Sequence, residues 1–311
     1  MGKKPLILVT NDDGINAPGL RALIDVMKTI GNIVVVAPDS PQSGMGHAIT
    51  IDSTLYVRQL ITNDDAPTEY SCSGTPADCV KLGIREILKR KPDLCVSGIN
   101  HGSNSSINVI YSGTMSAAIE AGIEGIPAIG FSLLDYKWEA NFDACKSFIK
   151  TITKNVLNHG LPKDTVLNVN IPNATEEDIK GIKICRQARG NWVEAFDKRK
   201  NPSGKDYYWL SGKFVNLDGG EDTDEWALEN GYISVERTVK LAEAAGFELA
   251  AQSDLLANPR DTHNYEQGVW TLPPSLALGD KDKKKYMKIG ESDRFLLKFV
   301  KPEKEENADS E

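Results

Sequence analysis

The sequence predicts an α/β protein: a doubly wound, mostly parallel, Rossmann-like sheet with a β-rich C-terminal extension used for oligomerisation. Three observations carry that expectation. Short apolar runs without polar interruption recur through the first half, as strands covered on both faces require. Amphipathic helical stretches separate them. After about Pro172 the alternation stops, and residues 189–222 are rich in Gly, Asn, Lys and aromatics.

In chain order, residues 6–10 form the first buried strand, ending at Thr10. A helix follows over residues 19–30, with Pro18 near its first turn, where a missing N–H costs nothing. Residues 33–37 (Ile-Val-Val-Val-Ala) are a second buried strand. The pattern repeats as a helix over 76–89, a strand over 93–98, a helix over 113–121 and a strand over 128–132. An amphipathic helix over 142–158 and a strand over 165–170 complete it. Beyond that, hairpin strands are expected near 207–210 and 213–215. The chain thus divides into a catalytic core over 1–175, a β-rich segment for oligomer contacts over 176–255, and an extension of unassigned role over 256–311. From Lys301 onward the tail is charged and lacks apolar anchors, so it is expected to be disordered.

Composition narrows the function. A net charge of -8 on 311 residues argues against binding nucleic-acid polymers or anionic membranes, which needs clustered Lys and Arg. No apolar run is long enough to span a bilayer and Met1-Gly2-Lys3-Lys4-Pro5 leads directly into the first strand, so a cytoplasmic location is expected. Five cysteines, Cys72, Cys79, Cys95, Cys145 and Cys185, are scattered without C-x-x-C spacing and read as small buried hydrophobes. His47, His101, His159 and His263 have no metal-ligand spacing, so any metal must be held by oxygen.

Chemistry concentrates where strands end. The crossover rule sends the loops after parallel strands to one edge of the sheet, where ligands bind. The first loop is Asn11-Asp12-Asp13-Gly14, the second contains Asp39, Ser40 and Ser43, and the third runs Ser97-Gly98-Ile99-Asn100-His101-Gly102-Ser103-Asn104. Two carboxylates with a serine hydroxyl and an asparagine carbonyl make an all-oxygen site suited to Mg²⁺ or Mn²⁺. The same Asn11, Asp12 and Asp13 also suit a turn and a helix cap. Tyr111-Ser112-Gly113-Thr114 then runs into an alanine-rich helix, whose N-terminus suits either phosphate or plain capping by Ser112 or Thr114. A phosphate dianion beside two carboxylates requires a cation between them, so cradle and acids imply a metal together.

These blocks resemble the SurE family of survival-protein phosphatases. The resemblance rests on Asn11-Asp12-Asp13-Gly14 with Ala17-Pro18-Gly19, Val36-Ala37-Pro38 with Ser43-Gly44, Gly74-Thr75-Pro76-Ala77-Asp78, Ser97-Gly98-Ile99-Asn100 with Asn104, and Tyr111-Ser112-Gly113-Thr114. It implies a metal-dependent 5'- and 3'-nucleotidase acting on nucleoside monophosphates and, in some members, short polyphosphate. The family's metal ligands fall on Asp12, Asp13, Ser43 and Asn100, holding one Mg²⁺ or Mn²⁺ per subunit. Asn104, Ser112, Gly113 and Thr114 match positions around its phosphate pocket. A homodimer or homotetramer formed by exchange of C-terminal segments is implied too. Past Asn170 the match thins to fragments such as Asn168-Val169-Asn170, Thr223-Asp224 and Gly231-Tyr232.

Read as chemistry, the site hydrolyses a phosphomonoester by metal-assisted attack of water, with Asp12 or Asp13 accepting the proton. A covalent aspartyl-phosphate on Asp12 is an alternative, although the lysine-bearing motif of such phosphatases is missing. The rival from another class is a non-catalytic nucleotide-binding regulatory module. It is disfavoured because no Gly-x-Gly-x-x-Gly turn follows the first strand. His101 is either a leaving-group acid or a solvent-facing loop histidine, and His47 is read the same way. Trp192, Tyr207, Tyr208 and Trp209 serve base stacking or, more simply, core and subunit contacts. Lys281 and Lys283 to Lys285 read as a solvated basic run.

Overall fold

The structure, a computed structural model, describes residues 4–60, 67–162, 165–238, 248–256, 283–289 and 294–300. Two units are distinct, Met1–Thr238 and Val239–Glu311. In the first, the strands are β1 (Leu6–Thr10), β2 (Asn32–Pro38), β3 (Val57–Gln59), β4 (Thr68–Cys72), β5 (Leu94–His101), β6 (Ala128–Leu133), β7 (Val166–Ile171), β8 (Ile182–Cys185), β9 (Gly190–Lys200), β10 (Asp206–Asn216) and β11 (Ile233–Thr238). Nine of them form one sheet in the order β3-β4-β2-β1-β5-β6-β7-β11-β8. From β4 to β7 every neighbouring pair is parallel. Those strands follow the doubly wound Rossmann order, in which direction of travel across the sheet reverses between β1 and β5.

Uninterrupted apolar strands work because both faces are covered. Ile7 and Val9 of β1 pack on one side with α1 (Pro18–Lys28) and, further along the sheet, α4 (Lys146–His159). Leu8, between them, points the other way into a second cluster shared with α2 (Pro76–Leu82) and α3 (Gly113–Ile123). Each such fully buried aliphatic side chain stabilises the fold by about 2 kcal/mol. The five cysteines are buried and unbridged, as expected.

Several elements differ from the sequence reading. The helix expected over 76–89 is α-helical only to Leu82 and continues as a π-helical stretch, Gly83–Leu88, stopped by Lys89 in the left-handed region (φ 52°). A 3-10 turn, Asp143–Cys145, precedes α4. Strand β4 (Thr-Glu-Tyr-Ser-Cys) escaped notice because it is polar. Its buried Glu69 is tolerated because Arg21 of α1 grips it at 2.7 and 3.0 Å. Strands β8 and β11 carry the sheet past residue 175, within the unit that ends at Thr238.

The expected pair of short strands near 207–210 and 213–215 is corrected to one long strand. It passes straight through Gly212, which pairs with Glu194, and lies antiparallel to β9 from Asp206↔Lys200 to Asn216↔Gly190. The turn falls at residues 201–205, where Asn201 Oδ1 accepts the N–H groups of Ser203 and Lys205. Helix α5 (Asp224–Glu229), N-capped by Thr223, leads back to β11.

The second unit contains the antiparallel strands β12 (Glu248–Leu256) and β13 (Arg294–Val300), and a short helix α6 (Lys283–Ile289) on which Lys283 to Lys285 are exposed. The tail from Lys301 and Lys281 lie outside the described residues. Among the described residues no helix is long and apolar enough to cross a membrane.

Helix α2 opens on a capping box. Thr75 Oγ accepts the Asp78 N–H at 3.2 Å, while Asp78 Oδ2 accepts the Thr75 N–H at 2.9 Å and the Thr50 hydroxyl at 2.6 Å. Burial pushes the Asp78 carboxyl up, but the Thr50 and Thr75 donors outweigh it and hold it below its ordinary 3.8. A depressed folded pKa stabilises above the unfolded value, and the contribution is lost as pH falls through the folded one. Asp78→Asn should therefore cost about 1–2 kcal/mol at pH 7. Melting curves of variant and parent should converge once the pH is well below 3.8.

Candidate active site

Strand β1 ends at Thr10, opposite Ser97 of β5, so its loop leaves the sheet where the strand order reverses, and β5 runs on past it to His101. The β1 loop is closed by Asn11, whose Nδ2 donates to the Gly14 carbonyl at 3.0 Å, which leaves the two aspartates at the sheet edge. At the end of β5 the register with β6 slips between Ser97 and Asn100. The last residue of β5 then touches the β1 loop. His101 Nδ1 lies 3.1 Å from Asp13 Oδ2, and the His101 N–H donates to the same oxygen at 3.4 Å.

Asp12 is held from a third element. Thr114, in the first turn of α3, donates its hydroxyl to Asp12 Oδ1 at 2.5 Å. Gly113 lies flat against the carboxylate: a Cβ there would fall 2.6 Å from Asp12 Cβ and 2.9 Å from Oδ2. Burial pushes the Asp12 carboxyl up to about 6; the Asp13 charge adds to the rise and the Thr114 donors oppose it. Asp12 is buried with its rotamer set by Thr114, whereas Asp13 is set by His101.

The remaining expected residues divide. Ser43 is exposed on the loop after β2, next to Gln42, whose N–H donates to the Asp12 carbonyl at 2.7 Å. Asn100 is half-buried beside His101 and donates to the Gly102 carbonyl at 2.9 Å. Ser112 is the N-cap of α3, its hydroxyl accepting the Met115 N–H at 3.0 Å. Asn104 belongs to a buried polar net: its Nδ2 donates to Ser132 Oγ, its N–H to Asn170 Oδ1, and Asn168 donates to its carbonyl.

Sequence reasoning missed that net. The signal was Asn168-Val169-Asn170, two amides two residues apart and hence on one face of an apolar strand. It also misjudged His101. A solvent-facing loop histidine is corrected to a side chain 9% exposed, stacked on Trp138 and met edge-on by Phe142. The Asp13 hydrogen bond raises the pKa of its imidazole above 6.5 against the opposing effect of burial. His47 is tied elsewhere: it and Lys81 share the buried Glu120 of α3 at 2.9 and 2.5 Å. Trp192, Tyr207, Tyr208 and Trp209 lie on the exposed β9–β10 hairpin and are not core residues; Trp192 Nε1 donates to Asn108 Oδ1.

Among the described residues no three His, Cys, Asp or Glu side chains converge as a metal cage. Two adjacent carboxylates, with Ser43 and Asn100 as the expected neutral oxygen donors, have the chemistry that suits a hard divalent cation. Gly113 preserves space beside Asp12 that any side chain would fill. The residues present fit such an ion.

Both causes of the Asp12 shift can be separated by carboxyl NMR titration of EDTA-treated protein. Asp12 should titrate near pH 6, lower in Asp13→Asn and higher in Thr114→Val. An Asp12 midpoint unmoved in both variants would contradict the geometry described.

The family model described as survival protein SurE matches residues 7–194. A protein of Flavobacterium psychrophilum named 5'-nucleotidase SurE is 73% identical over 232 residues, covering 75% of this chain and 90% of that one. A Bacteroides fragilis protein of the same name is 49% identical over 238 residues, covering 76% and 92%. The crystal structure of SurE protein from Aquifex aeolicus superimposes with a TM-score of 0.67 at 43% identity, covering 78% of this chain and 96% of that one. With a family model matching more than half of its residues and relatives this similar over most of their length, the chain belongs to the SurE family.

Proposed function

We propose that this protein is a metal-dependent 5'-nucleotidase, a phosphoric monoester hydrolase that converts nucleoside 5'-monophosphates to nucleoside and phosphate. Nucleoside 3'-monophosphates and short polyphosphate are its further candidate substrates. The observation that carries the reading is the pair of adjacent carboxylates, Asp12 and Asp13, at the switch point of the sheet beside a helix N-terminus. The relatives' printed name, 5'-nucleotidase, supports it. Its partner is a small nucleotide, and we infer a cytoplasmic homodimer or homotetramer.

One Mg²⁺ or Mn²⁺ per subunit, held by Asp12, Asp13, Ser43 and Asn100, supplies charge neutralisation and an acidified water when bound. The chain's own residues do the rest. The first-turn amide of α3 at Gly113 binds a phosphoryl oxygen and stabilises the charge that develops on it, while the Thr114 N–H and hydroxyl serve Asp12. Thr114 and Gly113 also fix Asp12, so this carboxylate cannot swing into the phosphate. Asp13 accepts the proton of the attacking water, and His101 keeps its carboxylate oriented for that task. Asn104, held by Ser132, Asn168 and Asn170, sets the course of the loop between β5 and α3.

The test is phosphate release from nucleoside 5'- and 3'-monophosphates and polyphosphate, with Mg²⁺, Mn²⁺ or EDTA. Release should require the metal, and Asp13→Asn should lower kcat/KM about a hundredfold or more. No release from any substrate by folded protein would replace this reading with a nucleotide-binding module.

A further inference from the structure

Two large aromatic side chains stand in the open next to the site. The loop after β6 carries Tyr136 and Trp138, 77% and 53% exposed. What sets these two apart from the chain's other exposed aromatics is where they are anchored. The loop is not loosely hung: Leu134 N–H donates to the Ile171 carbonyl, Lys137 N–H to Asp135 Oδ1 and Ala140 N–H to the Lys137 carbonyl.

Each ring is seated on the catalytic edge. Trp138 lies nearly coplanar with His101, with 7° between the rings and 5.7 Å between their centroids, and Phe142 closes the far edge of His101 at 5.2 Å. Tyr136 rests on Gly102, where a Cβ would fall 2.3 Å from its ring, and Gly102 itself has φ +100°. Only glycine lets the chain pass under the tyrosine there. Asp13, His101 and Trp138 therefore form one contiguous stack, from candidate ligand to open aromatic face.

We propose that Trp138 and Tyr136 form the platform on which the nucleobase of the substrate stacks, an inference that rests on the nucleotidase reading above. A ribose separates phosphorus from base by on the order of 5–8 Å at ordinary bond lengths. Trp138 is two contacts from Asp13: His101 Nδ1 lies 3.1 Å from the carboxylate, and the His101 and Trp138 ring centroids are 5.7 Å apart. Stacking on an open indole face is tolerant of base identity because every base presents a π-face. Stacking on an exposed ring face selects for the presence of a base more than for its type.

The experiment compares kcat/KM for AMP with that for ribose 5-phosphate, which lacks the base, in parent, Trp138→Ala, Trp138→Phe and Tyr136→Ala. The ratio cancels any general loss caused by relaxing His101. It should fall about tenfold in Trp138→Ala, fall less in Tyr136→Ala, and recover in Trp138→Phe. An unchanged ratio in an enzyme that hydrolyses AMP overturns the platform and leaves the nucleotidase reading intact. Adenosine provides a readout free of catalysis. It should quench tryptophan fluorescence in the parent and not in Trp138→Phe, and equal quenching in both also overturns the proposal. If the parent hydrolyses neither ester, the nucleotidase reading fails and the quenching alone decides the platform.

Discussion

Two like charges held side by side are the constraint around which this structure is arranged. Each carboxylate's charge disfavours ionisation of the other. Asp12 is also buried, so its ionised form is penalised twice, and its carboxyl rises to about 6. Surrounding residues are chosen for what that pair demands. Thr114 donates to one carboxylate, His101 to the other, and Gly113 gives up its side chain so that α3 can close on Asp12. The divalent cation of the proposed function would offset the remaining imbalance, since perturbed, unbalanced carboxylates of this kind cluster at functional sites.

Support for the pair reaches well beyond it. Reversal of strand order between β1 and β5 sends successive helices to opposite faces and opens the crevice into which both loops lead. The loop between β5 and α3 would be free to wander, and a buried polar net prevents it. Asn104 is held by Ser132, Asn168 and Asn170, while Asp224 accepts the N–H groups of Ser106 and Ala188 at 2.7 and 2.8 Å. Buried amides and carboxylates of this kind are strongly destabilising when a partner is lost, so they hold one loop course against alternatives.

Much of this was legible in the sequence. Apolar strands covered on both faces have a composition that exposed strands do not, and each of the six helices and strands expected before Ala121 is present within a few residues. Asp12, Asp13 and Asn100 were legible because polar residues that end such strands must lie at one edge. Strand β4 was not, since Glu69 only becomes a strand residue once Arg21 of α1 neutralises it. The β10 strand was misread at Gly212 because a local breaker is overridden by a ladder with β9 that local composition does not report.

By itself the sequence determined the alternation of elements, the fold class and the residue types at the strand ends, because periodicity and turn chemistry are local properties. Only the tertiary structure decided who meets whom. That His101 is buried against Asp13 and stacked on Trp138, that Thr114 serves Asp12, and that Asn168 and Asn170 hold Asn104, all depend on contacts between residues from 37 to 102 positions apart. Such pairings follow from the order in which strands assemble into the sheet, and strand order is a property of the packed whole.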